Sequence, residues 1–347
     1  MRLLDCTVRD GSYAVDFKWT REDVAKIITR LERLGFGYVE IGHGLGLGAS
    51  SAKYGRSLLS DFEYMDVAGK CLRNAKYGFF CIPGIAALED IKKARDNGVS
   101  FIRVGINADT PGLAVPYIKE GKRNGLEVMA NYMKSYAVSR EDFADAAMLA
   151  ADNGADAVYV VDSAGCMMDD DIRRVFEAVR KKSSVKLGFH GHNNLGLAVS
   201  NSLLCAELGF DFIDCTFQGL GRSIGNAPAE QLVMALQKKG FCGEMDIPCL
   251  LEYGYDCMKD VVPEKGLCHP LDLICGYTGF HTSFLKDIYR CCCEKHVDPM
   301  RLIMAYCEKN KLTMDYGLLC SVADTLRTDT DDNPYSFRKY FSDKYSD

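Results

Sequence analysis

From its start to about residue 240, the chain alternates eight short apolar runs, rich in Val, Ile, Phe and Tyr, with longer segments of helical period. The runs are Leu3 to Cys6, Tyr38 to Ile41, Tyr77 to Ile82, Phe101 to Ile106, Glu127 to Met133, Ala157 to Val161, Val185 to His190 and Phe212 to Phe217. Strands separated by helices pair in parallel, because antiparallel neighbours need only short turns. A doubly wound open sheet and a closed (β/α)8 TIM barrel both satisfy this. The count of eight favours the barrel, as does the placement of polar residues. Arg9-Asp10, His43, Asn107, Asn131, Asp162-Ser163, His190 to His192 and Gln218 all stand at or just after the C-terminal ends of the runs. In a barrel those ends converge on one site.

Helix boundaries are legible too. Thr20 with Asp23 three residues on reads as a capping box, followed by Val24, Ile27, Ile28, Leu31 and Leu34 on one face and ended by Gly35. Ser139 with Asp142 opens a similar segment. After Gly240 the strand pattern stops, and Pro248, Pro263, Pro270 and Pro299 punctuate a stretch of helical period. The expected organisation is a catalytic barrel over 1–240, a helical C-terminal domain over 241–327 and a polar tail over 328–347.

Forty-two Lys and Arg against 48 Asp and Glu give a net charge of −6, and no long basic run occurs. A nucleic-acid partner is not expected from this balance. Nothing approaches the roughly 18 consecutive apolar residues of a membrane span, and Asp5 interrupts the N-terminus before a secretory segment could develop. A cytoplasmic location is expected. The 16 cysteines include no Cys-x-x-Cys pair, so a zinc cluster is disfavoured and the thiols read as small, mostly buried hydrophobes in a reducing compartment.

Three motifs carry chemistry. In Gly188-Phe189-His190-Gly191-His192-Asn193-Asn194, the two histidines at i and i+2 on a strand point the same way and could share one cation. In Leu4 to Gly11, Asp10 could complete a two-histidine, one-carboxylate face with open positions, with Arg9 beside it. Taken alone, Arg9-Asp10 reads better as a surface ion pair in a turn, and only the histidine pair favours the ligand reading. The glycine-rich stretch Gln218 to Pro228 could present backbone N–H groups to an anion or be a tight turn. Gly44-Leu45-Gly46-Leu47-Gly48 is a weaker phosphate loop, because no acidic residue follows at the dinucleotide spacing.

Together these motifs resemble the metal-dependent aldolase/lyase superfamily that includes 3-hydroxy-3-methylglutaryl-CoA lyase and isopropylmalate synthase. Glu40 to Gly44, Ile82 to Ile85, Val161 to Gly165, His190 to Leu197, Gly219 to Pro228 and Tyr277 to Leu285 look, in order, like the 4-hydroxy-2-oxovalerate aldolase family. The resemblance implies a divalent cation, Mn2+ or Mg2+, on Asp10, His190 and His192, with Asn226 beside the metal or its loop. It also implies a pyruvate enolate stabilised by Arg9 and a substrate carboxylate held by Ser163. Pyruvate and an aldehyde are the expected small-molecule partners, with self-association into a homo-oligomer left open. A Claisen-type acyl-CoA lyase or synthase of the same superfamily, or a barrel binding metal and ligand without turnover, are the alternatives.

The departures from that family are informative. Where the aldolases carry a histidine base, this chain has Tyr13, and where they carry a tyrosine it has His281. The expectation is an exchange in which His281 takes the base role, alone or with Tyr13. Arg222-Ser223-Ile224 replaces a small stretch, so a cation enters the loop and a larger or more acidic substrate is expected. Thr313-Met314-Asp315 replaces small residues that line a passage to a dehydrogenase, so an aldehyde-channelling dehydrogenase partner is not expected.

Overall fold

A computed structural model of the chain describes residues 1–261, 269–280, 284–310, 313–326 and 341. Eight parallel strands, β1 (Arg2–Asp5), β2 (Tyr38–Ile41), β3 (Lys76–Cys81), β4 (Phe101–Asn107), β5 (Glu127–Met133), β6 (Ala157–Asp162), β7 (Lys186–Gly191) and β8 (Phe212–Cys215), pair in sequence order, and β8 closes on β1. The barrel is therefore the architecture, and the doubly wound sheet is excluded. The expected strands match to within two residues at nearly every end.

The connecting helices are α1 (Arg21–Arg33), α2 (Asp61–Cys71), α3 (Leu88–Asp96), α4 (Val115–Arg123), α5 (Arg140–Asp152), α6 (Asp169–Lys182), α7 (Ala198–Leu208) and α8 (Ala229–Lys238). In α1, Thr20 and Asp23 form the reciprocal capping box, and Val24, Ile27, Ile28 and Leu31 are buried. Ser139 accepts from the Asp142 N–H at the start of α5. No described helix is long and apolar enough to cross a membrane.

Side chains inside the barrel follow the two-residue period of the strands. A lower layer contains Leu4, Tyr38, Phe101, Met129, Ala157 and Phe212 and is almost wholly apolar. Two residues further along the same strands, the layer above contains Cys6, Glu40, Arg103, Asn131, Tyr159 and Asp214, all buried. This polar layer is the floor of the site at the barrel's C-terminal mouth.

Residues Met1–Met245 form one compact unit, and most of the chain from Asp246 forms a second. The second contains α9 (Ile247–Met258), α10 (Pro270–Thr278), α11 (Leu285–Lys295), α12 (Pro299–Cys307) and α13 (Tyr316–Ala323). Within it, Asp315 caps α13 by accepting from the Leu318 N–H, and the Thr313 carbonyl accepts from the Tyr306 hydroxyl. No disulfide joins any two of the 15 cysteines among the described residues.

Two fully buried carboxylates, Asp5 and Glu230, are expected to cost the barrel stability as pH rises. Burial raises Glu230, in the first turn of α8, to about 7, although its carboxylate accepts the Gln218 N–H at 2.9 Å. Burial likewise raises Asp5 to about 7. A carboxyl raised on folding contributes stability that is complete below its unfolded value and is lost as pH rises through the folded one. Glu230→Gln should therefore gain on the wild type by about 2 kcal/mol between about pH 5.5 and 8.5. Melting temperatures of both proteins across that range check this; parallel curves would refute it.

Candidate active site

The mouth of the barrel is built by the segments that leave β1, β6, β7 and β8. After β1, the chain enters a short 3-10 helix, Asp10–Val15, anchored by the Asp10 N–H on the Cys6 carbonyl at 2.8 Å. That segment carries Arg9, Asp10 and Tyr13 to the mouth. At the end of β7, His190 and, one residue past the strand, His192 stand side by side, with ring centroids 5.2 Å apart and planes at 81°. One ligand atom each from Asp10, His190 and His192 lie within 4.8 Å of one another.

Electrostatics favour an ionised Asp10 and a neutral His192, the forms in which such side chains can ligate a cation. Burial opposes ionisation of Asp10, but Arg9, and then the two histidines, hold its carboxyl well below the usual carboxylate range. Burial, followed by the neighbouring His190, lowers His192 to about 4, so its imidazole is neutral at physiological pH. The His192 Nδ1 is buried with no hydrogen-bond partner. His190 Nδ1 is 2.8 Å from Asp214 Oδ2, which fixes that ring and leaves Nε2 as the atom it could offer a cation. An orphaned imidazole nitrogen, an oriented imidazole and an ionised carboxylate form a donor set that fits a divalent cation.

Beneath the triad runs a buried charge relay. Arg9 Nη1 donates to Asp10 Oδ1 at 2.6 Å and Arg9 Nε to Glu40 Oε2 at 2.6 Å. Arg103 grips Glu40 through two bonds of 2.8 and 2.6 Å, and its Nη1 donates to Asp214. Asp214 then meets His190. The relay thus joins Asp10 to His190 from below, through Arg9, Glu40, Arg103 and Asp214. Burial pushes the Glu40 carboxyl up, but Arg103 and Arg9 prevail and bring it down to about 2.

Sequence reasoning missed Glu40, Arg103 and Asp214 as functional residues. The available signal was a single charge at an inward position of an otherwise apolar run, as in Phe101-Ile102-Arg103-Val104. Cys6, buried like most of the described cysteines, also has polar neighbours. Its Sγ lies 3.2 Å from Arg103 Nη2 and 3.5 Å from Asp214 Oδ2.

A cavity of about 80 Å3 opens beside the triad and is lined by Arg9, Asp10, Tyr13, Asn131, Ser163, His190, His192 and Arg222 together with apolar side chains. The structure therefore brings together Arg9, Asp10, Tyr13, Ser163, His190, His192 and Arg222. Ser163 Oγ accepts the Lys134 N–H at 3.0 Å, which leaves its proton free to donate into the cavity. Burial raises the Tyr13 phenol above its ordinary value, so it is a proton donor at neutral pH. His281 lies outside the described residues.

Other expected mouth residues have local duties. His43 stacks on Phe17 with centroids 4.0 Å apart, accepts from the Leu45 N–H and faces the Gly55 carbonyl. Asp162 accepts two backbone N–H groups of its own loop, and Gln218 pairs with Glu230. The glycine-rich stretch after β8 folds as a tight turn: its Gly219, Leu220, Gly225 and Asn226 N–H groups bond to carbonyls of the same loop. Asn226 turns Nδ2 onto Asp10 Oδ2 at 2.6 Å and keeps a buried, unpaired Oδ1. A Cβ on Gly221 would stand 2.3 Å from that Nδ2, so only glycine permits the approach.

Comparison with known proteins agrees with this geometry. The pattern of the HMGL-like family matches residues 1–254. An oxaloacetate decarboxylase of Mycobacterium tuberculosis is 38% identical over 82% of this chain and 84% of its own. A 4-hydroxy-2-oxovalerate aldolase of Carboxydothermus hydrogenoformans is 35% identical over 88% of this chain and 90% of its own. The crystal structure of hydroxymethylglutaryl-CoA lyase from Pseudomonas aeruginosa superposes with a TM-score of 0.66 at 19% identity, covering 79% of this chain and 97% of that one.

Proposed function

The chain belongs to the HMGL-like family, and from that premise we propose that its barrel mouth cleaves, or in reverse forms, the C3–C4 bond of a 4-hydroxy-2-oxo acid through a pyruvate enolate. It is an aldolase-type carbon–carbon lyase, like the relatives named 4-hydroxy-2-oxovalerate aldolase. The observation that carries the reading is the Asp10, His190 and His192 triad beside a small cavity that also holds Arg9. The triad would hold a divalent cation, Mn2+ or Mg2+, whose Lewis acidity polarises the carboxylate and keto oxygens of the 2-oxo acid.

The protein's own groups do the rest. Arg9, fixed by Glu40 and Asp10 and lining the cavity, would meet the negative charge that develops on the enolate oxygen without reorganising. Ser163 donates to the substrate carboxylate. The apolar walls, Phe80, Ile82, Met133 and Val161 among them, limit water around the enolate. The 4-hydroxyl proton needs an acceptor, and a phenol raised by burial is not one. That role is assigned to His281, with Tyr13 as a hydrogen-bond donor to the departing oxygen.

Pyruvate release from 4-hydroxy-2-oxovalerate by the Mn2+-loaded protein tests the reading. His281→Ala should lower kcat by about 10²–10⁴-fold, the range of a lost general base; full activity would remove His281 from the mechanism, and no release by the wild type would defeat the aldolase reading. A second reading, decarboxylation of oxaloacetate, draws on the 38% identical relative of that name and on Tyr13. Loss of CO2 also leaves a pyruvate enolate but requires no base for a hydroxyl proton.

A further inference from the structure

Arg222 has no ion-pair partner among the described residues; its recorded contact is with the Tyr13 ring, 5.7 Å from guanidinium carbon to centroid. The other arginine of the cavity differs, since Arg9 is bound to both Asp10 and Glu40. A cation–π contact at an exposed site contributes only about 0.5–1 kcal/mol, which leaves the five donors of Arg222 available. The loop carrying it is held in place: Ser223 Oγ accepts from Asn194 Nδ2 at 3.1 Å, and the Gly225 carbonyl accepts the Asn193 N–H at 2.9 Å. The Tyr13 hydroxyl, on the ring that the guanidinium overlies, likewise has no hydrogen-bond partner among the described residues.

Resting on the proposed aldol chemistry, we infer that Arg222 and the Tyr13 hydroxyl receive a carboxylate carried by the departing fragment, so that the aldehyde partner is an oxo acid and the substrate a 4-hydroxy-2-oxo diacid. The planar guanidinium fork matches a carboxylate bidentately. One carboxylate of such a substrate lies with the keto group at the triad and Ser163, and the other at Arg222. In the cleavage, the C3–C4 electron pair stays on C3 as the enolate, the 4-hydroxyl loses its proton, and C4 becomes the aldehyde carbon of the oxo acid. Protonation at C3 then yields pyruvate. The distal carboxylate keeps its charge throughout, so Arg222 stabilises ground and transition states alike. In oxaloacetate the departing carboxylate must lose its charge to become CO2. A guanidinium on it would stabilise the reactant and slow the step, so Arg222 favours the aldol class.

Two measurements test this, and they separate it from the parent reading. By calorimetry with Mg2+, wild-type protein should bind 2-oxoglutarate about 10–100-fold more tightly than 2-oxovalerate, which has a methyl in place of the distal carboxylate. Arg222→Met should abolish that preference and Arg222→Lys should keep part of it. In turnover, Arg222→Met should lower the ratio of kcat/KM for 4-hydroxy-2-oxoglutarate over 4-hydroxy-2-oxovalerate by a similar factor, mainly through KM. Equal binding of the two 2-oxo acids, a preference that survives in Arg222→Met, or a loss confined to oxaloacetate decarboxylation would overturn the inference. A diacid preference in binding without any pyruvate release would support the carboxylate site and defeat the aldolase reading instead.

Discussion

Asp10→Asn is expected to abolish cation binding at the barrel mouth and to lower kcat/KM for pyruvate release by about 10³-fold or more, because the Lewis-acid contribution to such a transition state amounts to several kcal/mol. The substitution keeps the shape of the side chain and removes its charge. Arg9 retains Glu40 as a partner, and Asn226 Nδ2 retains an amide oxygen to donate to. The metal-free variant should therefore fold and melt near the wild type. Calorimetric titration with Mn2+, with circular dichroism as the control, separates a lost site from a lost fold. Unchanged Mn2+ affinity would exclude Asp10 as a ligand.

Arg103→Met is expected to have the largest effect on stability. Arg103 has no solvent exposure and bonds to both Glu40 and Asp214. Its removal leaves buried carboxylates without their main counter-charge, a loss of about 3–5 kcal/mol. In a domain of this size, that corresponds to a melting temperature lower by on the order of 10 °C. Asp214→Asn is the milder companion. It keeps the volume and weakens the acceptor on His190 Nδ1, so Mn2+ affinity should fall about 10–100-fold while the melting temperature falls less than in Arg103→Met. Full Mn2+ affinity in Asp214→Asn would show that the relay supports the barrel without orienting the triad.

The barrel was legible because each of its strands is a mostly apolar run followed by a segment of helical period, some opened by a start signal of their own, such as Thr20 with Asp23. The triad was legible for a related reason. Two histidines at i and i+2 on a strand share a face whatever the rest of the fold does, and Asp10 follows a neighbouring part of the same ring. The relay was not legible, because Glu40, Arg103 and Asp214 are far apart in sequence and meet only when β2, β4 and β8 close around one axis. Each looks like an isolated charge in its own run. His43 and Gln218 illustrate the opposite error. Both stand at strand ends, but their side chains satisfy loop backbone and the buried Glu230 instead of the cavity. Position at the mouth is necessary for a role in the site and does not suffice.

The central claim is that the Asp10, His190 and His192 face, loaded with a divalent cation, stabilises a pyruvate enolate. Exchange of the pyruvate methyl protons in D2O, followed by proton NMR with Mg2+ as the diamagnetic cation, reports on that enolate without any aldehyde. The wild type should exchange them, and both chelation and Asp10→Asn should stop the exchange. No exchange in the Mg2+-loaded wild type, or exchange that persists in Asp10→Asn, would contradict the account and point to a barrel that binds its ligand without enolising it.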